Sequence, residues 1–76
     1  MALLNMTFNA PPSRYAELKA VEGYEYEGVV VVRVETAGTP KLTKVHVRAI
    51  DGQMRSWTEL KSALEAILDG GHTPAP

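Results

Sequence analysis

The sequence predicts an α+β fold: a three- to four-stranded antiparallel sheet, a C-terminal amphipathic helix packed on one of its faces, and a short N-terminal helix. Three observations predict it. Residues 24–36 are dense in β-branched and aromatic side chains, residues 42–50 alternate apolar with polar, and a Ser56-Trp57-Thr58-Glu59 capping box opens a stripe of helical period. With 76 residues the chain is one domain, read as 1–71, and 72–76 reads as a polar, proline-containing tail expected to be disordered.

The first element is a strand. Across residues 3–8, Leu4, Met6 and Phe8 fall on one side and Leu3, Asn5 and Thr7 on the other. Asn9-Ala10-Pro11-Pro12 stops it, because proline cannot donate to a ladder. Ser13 then stands where an N-cap would stand, Tyr15, Leu18 and Val21 recur at helical spacing, and Gly23 marks an end. Residues 14–21 therefore read as a short helix, with a strand as the competing reading, since Ala16, Leu18 and Ala20 also alternate with polar residues.

Strict alternation along 24–36 sends Tyr24, Tyr26, Val30, Val32 and Val34 inward. It sends Glu25, Glu27, Val29, Val31, Arg33 and Glu35 outward. The run of four valines indicates cover on both faces over part of this strand. Ala37-Gly38-Thr39-Pro40 is turn chemistry. The returning strand, 42–50, has Thr43, Val45, Val47 and Ala49 inward and Leu42, Lys44, His46, Arg48 and Ile50 outward. Asp51-Gly52 matches a type I′ hairpin turn into a short strand at 53–55. In the final helix Trp57, Leu60, Leu64, Ile67 and Leu68 form the apolar stripe, with Ala63 beside it, and Gly70-Gly71 ends it.

Composition narrows the function classes. There is no cysteine, so neither a disulfide nor a thiolate metal site can support a domain this small. A net charge of −1 is unlike the basic balance of a dedicated nucleic-acid binder. No apolar run approaches the ~20 residues of a membrane span, and the N-terminus lacks the basic region of a signal peptide. These features predict a cytoplasmic protein with no membrane partner. Ser13 and Ser56 read as helix caps and Ser62 as a helix surface residue; the histidines are His46 and His72, and no G-x-S-x-G elbow is present. Glu25 and Glu27, about 7 Å apart at strand rise, read as solvated glutamates rather than an acid–base pair. His46 beside either of them falls short of a metal ligand set. No glycine-rich loop opens a helix, so no cofactor, metal or catalytic residue is expected. Trp57 reads as core, with ligand stacking as the alternative.

The candidate site is the outward sheet face: Val29, Val31, Arg33, Lys44, His46 and Arg48, with Arg55 nearby. Either the 14–21 segment folds over Val29 and Val31, or they form an apolar patch rimmed by charge, as protein-interaction surfaces do. The expected function is a small non-enzymatic protein-binding module, an adaptor, subunit or occluding inhibitor of viral or mobile-element type, docking on a larger protein. On that expectation Val31→Glu abolishes binding and leaves the fold intact. The alternative is a nucleic-acid-binding sheet using the Lys44, His46 and Arg48 row, against which Glu25, Glu27 and Glu35 count on the same face. A homodimer through a sheet edge or the outer face is the further partner expectation.

Overall fold

A computed structural model describes residues 2–70 and 73–74, and for Ala2, Thr73 and Pro74 the backbone alone. The elements run β1 (Ala2–Leu3), β2 (Asn5–Ala10), a 3-10 turn (Pro12–Arg14), α1 (Tyr15–Lys19), β3 (Tyr24–Tyr26), β4 (Val29–Ala37), β5 (Leu42–Ala49), β6 (Arg55–Ser56), α2 (Trp57–Leu68) and β7 (Thr73–Pro74). The main sheet is antiparallel with four strands in the order β2-β5-β4-β3, and the two-residue β7 pairs with Tyr24 and Glu25 at its far side. Of the 72–76 tail, only Thr73 and Pro74 lie among the described residues.

Strand β5 forms as its alternation predicts. Thr43, Val45, Val47 and Ala49 are buried, while Leu42, Lys44, His46 and Arg48 face the other way. Strand β4 departs from strict alternation. Val31 lies opposite Val47 and Val34 opposite Val45, so two residues of β4, Val32 and Arg33, span a stretch where β5 has only His46. This is a β-bulge, which flips every later side chain to the opposite face. Val29 and Val31 are 1% and 0% exposed and belong to the core, and Val32 is 51% exposed. The expectation that Val29 and Val31 point outward and Val30 and Val32 inward is thereby corrected, Val30 standing beside Arg48: a single uninterrupted register does not exist in this strand. Tyr24 and Tyr26 do pack inward against the core, as expected.

Both helices cover the same face. Leu18 of α1 and Leu60, Ala63, Leu64 and Ile67 of α2 join Val29, Val31, Val34, Val45 and Val47 in one cluster. Ser56 caps α2 as read: its Oγ accepts the Glu59 N–H at 3.2 Å, and the Glu59 carboxylate accepts the Ser56 N–H at 3.1 Å. Those two bonds hold the Glu59 carboxyl below its ordinary range. Trp57, expected in the core, is 43% exposed because the first helical position stands at the rim of the sheet.

Two local readings are corrected by side-chain chemistry. Ser13 caps nothing; it lies within the 3-10 turn, and α1 starts from Arg14 with no side-chain cap. Asp51-Gly52 does not close a hairpin, and 53–55 is not a strand paired to β5. The Asp51 carboxylate instead accepts the Gln53 N–H and two bonds from the Arg55 guanidinium. Arg55 also reaches the Glu27 carbonyl at 2.9 Å, and β6 pairs with β1. The guanidinium and the Gln53 amide pull the Asp51 carboxyl down to about 2. Gly28, at φ +84°, must be glycine here, because a Cβ would collide with that carboxylate.

The β4 edge beyond β3 is closed by polar contacts. Gly23 N–H donates to the Val31 carbonyl at 2.7 Å, and the Glu22 carboxylate accepts the Val34 N–H at 2.7 Å and Lys19 at 3.0 Å. The Val34 amide, then the Lys19 ammonium, lower the Glu22 pKa from the ordinary 4.5.

Two predictions follow from this packing. Val31→Ala should lower unfolding stability by about 2 kcal/mol, two buried methyl groups and a residual cavity, whereas Val32→Ala should change it by less than about 0.5 kcal/mol; urea titration compares them. A depressed carboxyl contributes stability that is present above its unfolded pKa and lost as pH falls through its folded pKa. Wild type should therefore lose stability as pH drops below the ordinary glutamate value of 4.5, and Glu22→Gln should lose less over the same interval, measured by urea unfolding at several acidic pH values.

Candidate interaction face

The outer sheet face carries no helix, because α1 and α2 pack on the opposite side. Its residues follow from register. Asn5, Thr7 and Asn9 of β2 stand opposite Arg48, His46 and Lys44 of β5, which in turn stand beside Val30, Arg33 and Glu35 of β4. The bulge makes this row possible. Without it Arg33 and Glu35 would follow Val29 and Val31 into the core, where unpaired charge is costly.

A polar relay crosses three strands. Thr7 Oγ1 lies 2.9 Å from His46 Nδ1, His46 Nε2 lies 2.7 Å from Glu35 Oε2, and Arg33 donates to Glu35 Oε1 at 3.3 Å. Lys44 donates to the Asn9 side-chain oxygen at 2.9 Å. The Arg48 side chain, exposed at the end of the row, has no hydrogen bond or ion pair among the described residues. Glu25, read as a solvated glutamate, accepts the Gly28 N–H.

Four of the six anticipated site residues, Arg33, Lys44, His46 and Arg48, share this open face; Val29 and Val31 do not, being buried under the helices. Arg55 lies elsewhere, bound to Asp51 and the Glu27 carbonyl beside β6. A carboxylate in place of Val31 would sit in the core, so Val31→Glu tests folding rather than docking. In their place the outer face shows Val32 and, beyond the end of β5, Ile50, which are 51% and 48% exposed.

The order hydroxyl–imidazole–carboxylate in Thr7, His46 and Glu35 is that of an activated nucleophile. Sequence reading missed it, because the three positions are far apart in the chain and only strand pairing joins them. Acyl transfer also needs a cavity for substrate and oxyanion donors at the reacting atom. The two cavities described lie along α2 instead, a groove of about 820 Å³ beside β2 and a smaller one of about 390 Å³ beside β3. The relay cross-links β2, β5 and β4 through polar cross-strand contacts. Among the described residues no group of three side chains could hold a metal ion.

The larger groove is floored by Met6, Phe8, Leu18 and Leu64. Trp57 stands at its rim, edge-on to Phe8 with centroids 5.7 Å apart and the Lys61 ammonium 5.0 Å from its ring centroid. Among the described residues, no helix is long and apolar enough to cross a membrane. Comparison with known proteins gives no matching family, no similar curated protein and no similar solved structure.

Proposed function

We propose that the chain is a non-enzymatic protein-binding module, acting in the cytoplasm as an adaptor, subunit or occluding inhibitor, that docks an acidic protein surface on its outer sheet face. The observation that carries the reading is the Arg48 guanidinium, exposed and, among the described residues, unengaged on a face that no helix covers. Together with Arg33 and Lys44 it makes three cations on this face against Glu25 and Glu35. Ile50 and Val32 supply exposed apolar area beside them. A mixed patch of this kind matches the anatomy of a transient interface, an apolar centre rimmed by charge that sets orientation and on-rate. Duplex nucleic acid is the competing occupant, because the same cations could neutralise phosphates, but Glu25 and Glu35 reduce the number of phosphates the face can hold.

A photoreactive residue at position 50 tests the proposal in a lysate of the source cells. The expected result is a nuclease-resistant adduct with one protein, at a contact peptide rich in Asp and Glu. It should be lost in Lys44→Glu/Arg48→Glu and retained in Lys41→Glu, whose charge lies in the turn before β5. Adducts that vanish with nuclease would assign the face to nucleic acid. Adducts indifferent to both charge reversals, or none, would overturn a docking role for this face.

A further inference from the structure

We infer that the partner at the β2 edge is a second copy of this chain, paired antiparallel through β2 into one continuous sheet. This goes beyond the outer-face reading and rests on separate observations.

The first is the contrast between edges. Strand β4 has its far edge closed by Gly23, Glu22 and Lys19, and β3 has its far edge paired with β7. Among the described residues, strand β2 ends the sheet order with no strand beyond it. Ala49 N–H donates to the Leu4 carbonyl at 2.7 Å. In an antiparallel ladder alternate residues share that direction, so Met6, Phe8 and Ala10 bond β5 while the N–H and C=O groups of Asn5, Thr7 and Asn9 point to the open side. Natural edges are usually guarded by lysine, proline or a bulge. Asn5–Ala10 contains none of these and no charge at all.

The second is self-complementarity. A two-fold axis through Thr7 sets Thr7 against its copy and Asn5 against Asn9, uncharged polar residues that meet without repulsion on the outer face. On the inner face it sets Met6 against Phe8. Pro11 and Pro12 end the strand, so the pairing cannot slide far past this register.

The third is charge along the groove. Pairing of β1 with β6 holds the start of α2 near the start of β2, and Arg14, whose guanidinium feels Glu65, marks the other end. Lys61 therefore stands toward the N-terminal end of β2, while Glu17, Glu65 and Asp69 outnumber Arg14 toward its C-terminal end. A two-fold axis reverses the direction, and the Lys61 end of one copy meets the acidic end of the other. Closed two-fold pairing also leaves no further edge of this kind free, so the assembly stops at two.

Light scattering coupled to size exclusion tests the inference on the full chain. The wild type should have twice the 8.3 kDa monomer mass. Asn5→Glu/Asn9→Glu, which sets glutamate against glutamate twice, should return it to monomer. Asn5→Lys/Asn9→Glu, which sets lysine against glutamate, should stay dimeric; glutamate at position 9 can still accept from Lys44. Far-ultraviolet circular dichroism identical to wild type confirms that each variant is folded. A wild type that is monomeric at every concentration, a double-glutamate variant that stays dimeric, or a lysine–glutamate variant that folds but dissociates would each overturn the inference. The docking role of Arg48 is read separately, by the outer-face cross-link in a protein that keeps Asn5 and Asn9, the residues opposite Arg48 and Lys44.

Discussion

The bulge at Val32 and Arg33 is the constraint on which the rest of this structure depends. Its cause lies in the order of side chains along β4. Val29 and Val31 set one alternation, while Arg33, Val34 and Glu35 demand the opposite one if both charges are to stay in water. A straight strand satisfies only half of this list, either exposing two valines or burying an arginine and a glutamate. One extra residue satisfies both, leaving Val32 as the exposed valine and placing Val34 opposite Val45. The gain is the transfer of Val29 and Val31 from water, at roughly 1.5 to 3 kcal/mol each, against a local break in the ladder.

From that choice the two surfaces follow. The inner face becomes apolar except for Thr43, whose hydroxyl donates to the Pro11 carbonyl, and accepts both helices. The outer face collects Thr7, His46, Glu35, Lys44 and Arg48, whose contacts tie the strands together and leave Arg48 for something else. The edges follow as well. Beyond β3 the freed amide of Val34 and carbonyl of Val31 would be exposed, and the segment after α1 returns to satisfy them with Gly23 and Glu22. Among the described residues no corresponding segment returns to β2. Where one edge is closed by several contacts and another is left bare and uncharged, the bare edge is the natural place for a partner strand.

Much of the architecture was legible in the sequence because a single periodicity dominates most elements. Strand β5 alternates without a break, α2 has a capping box followed by one stripe, and both appear as read except for the exposed Trp57, as do the inward Tyr24 and Tyr26. The bulge was hidden because four consecutive valines fit either register, and neither glycine nor proline marks the shift. The Asp51-Gly52 turn misled for a different reason. Its glycine does take positive φ, but Arg55 captures Asp51, and the following residues pair with the N-terminus, a contact no local pattern encodes. For the candidate site, the residues of β5 were placed correctly by alternation. Val29 and Val31 were misplaced with the register, and the Thr7–His46–Glu35 relay needed the pairing of three strands to be seen.

The most direct measurement of the central claim uses the absence of cysteine from the chain. Single Val29→Cys, Val31→Cys, Val32→Cys and Ile50→Cys variants can be labelled with a thiol reagent under native conditions. A bulged β4 with an open outer face requires rapid labelling at positions 32 and 50, and labelling at 29 and 31 only as fast as the protein opens. Labelling at positions 29 and 31 as fast as at 50, with position 32 protected, would show an uninterrupted strand of the opposite register, and the division of faces described above would be contradicted.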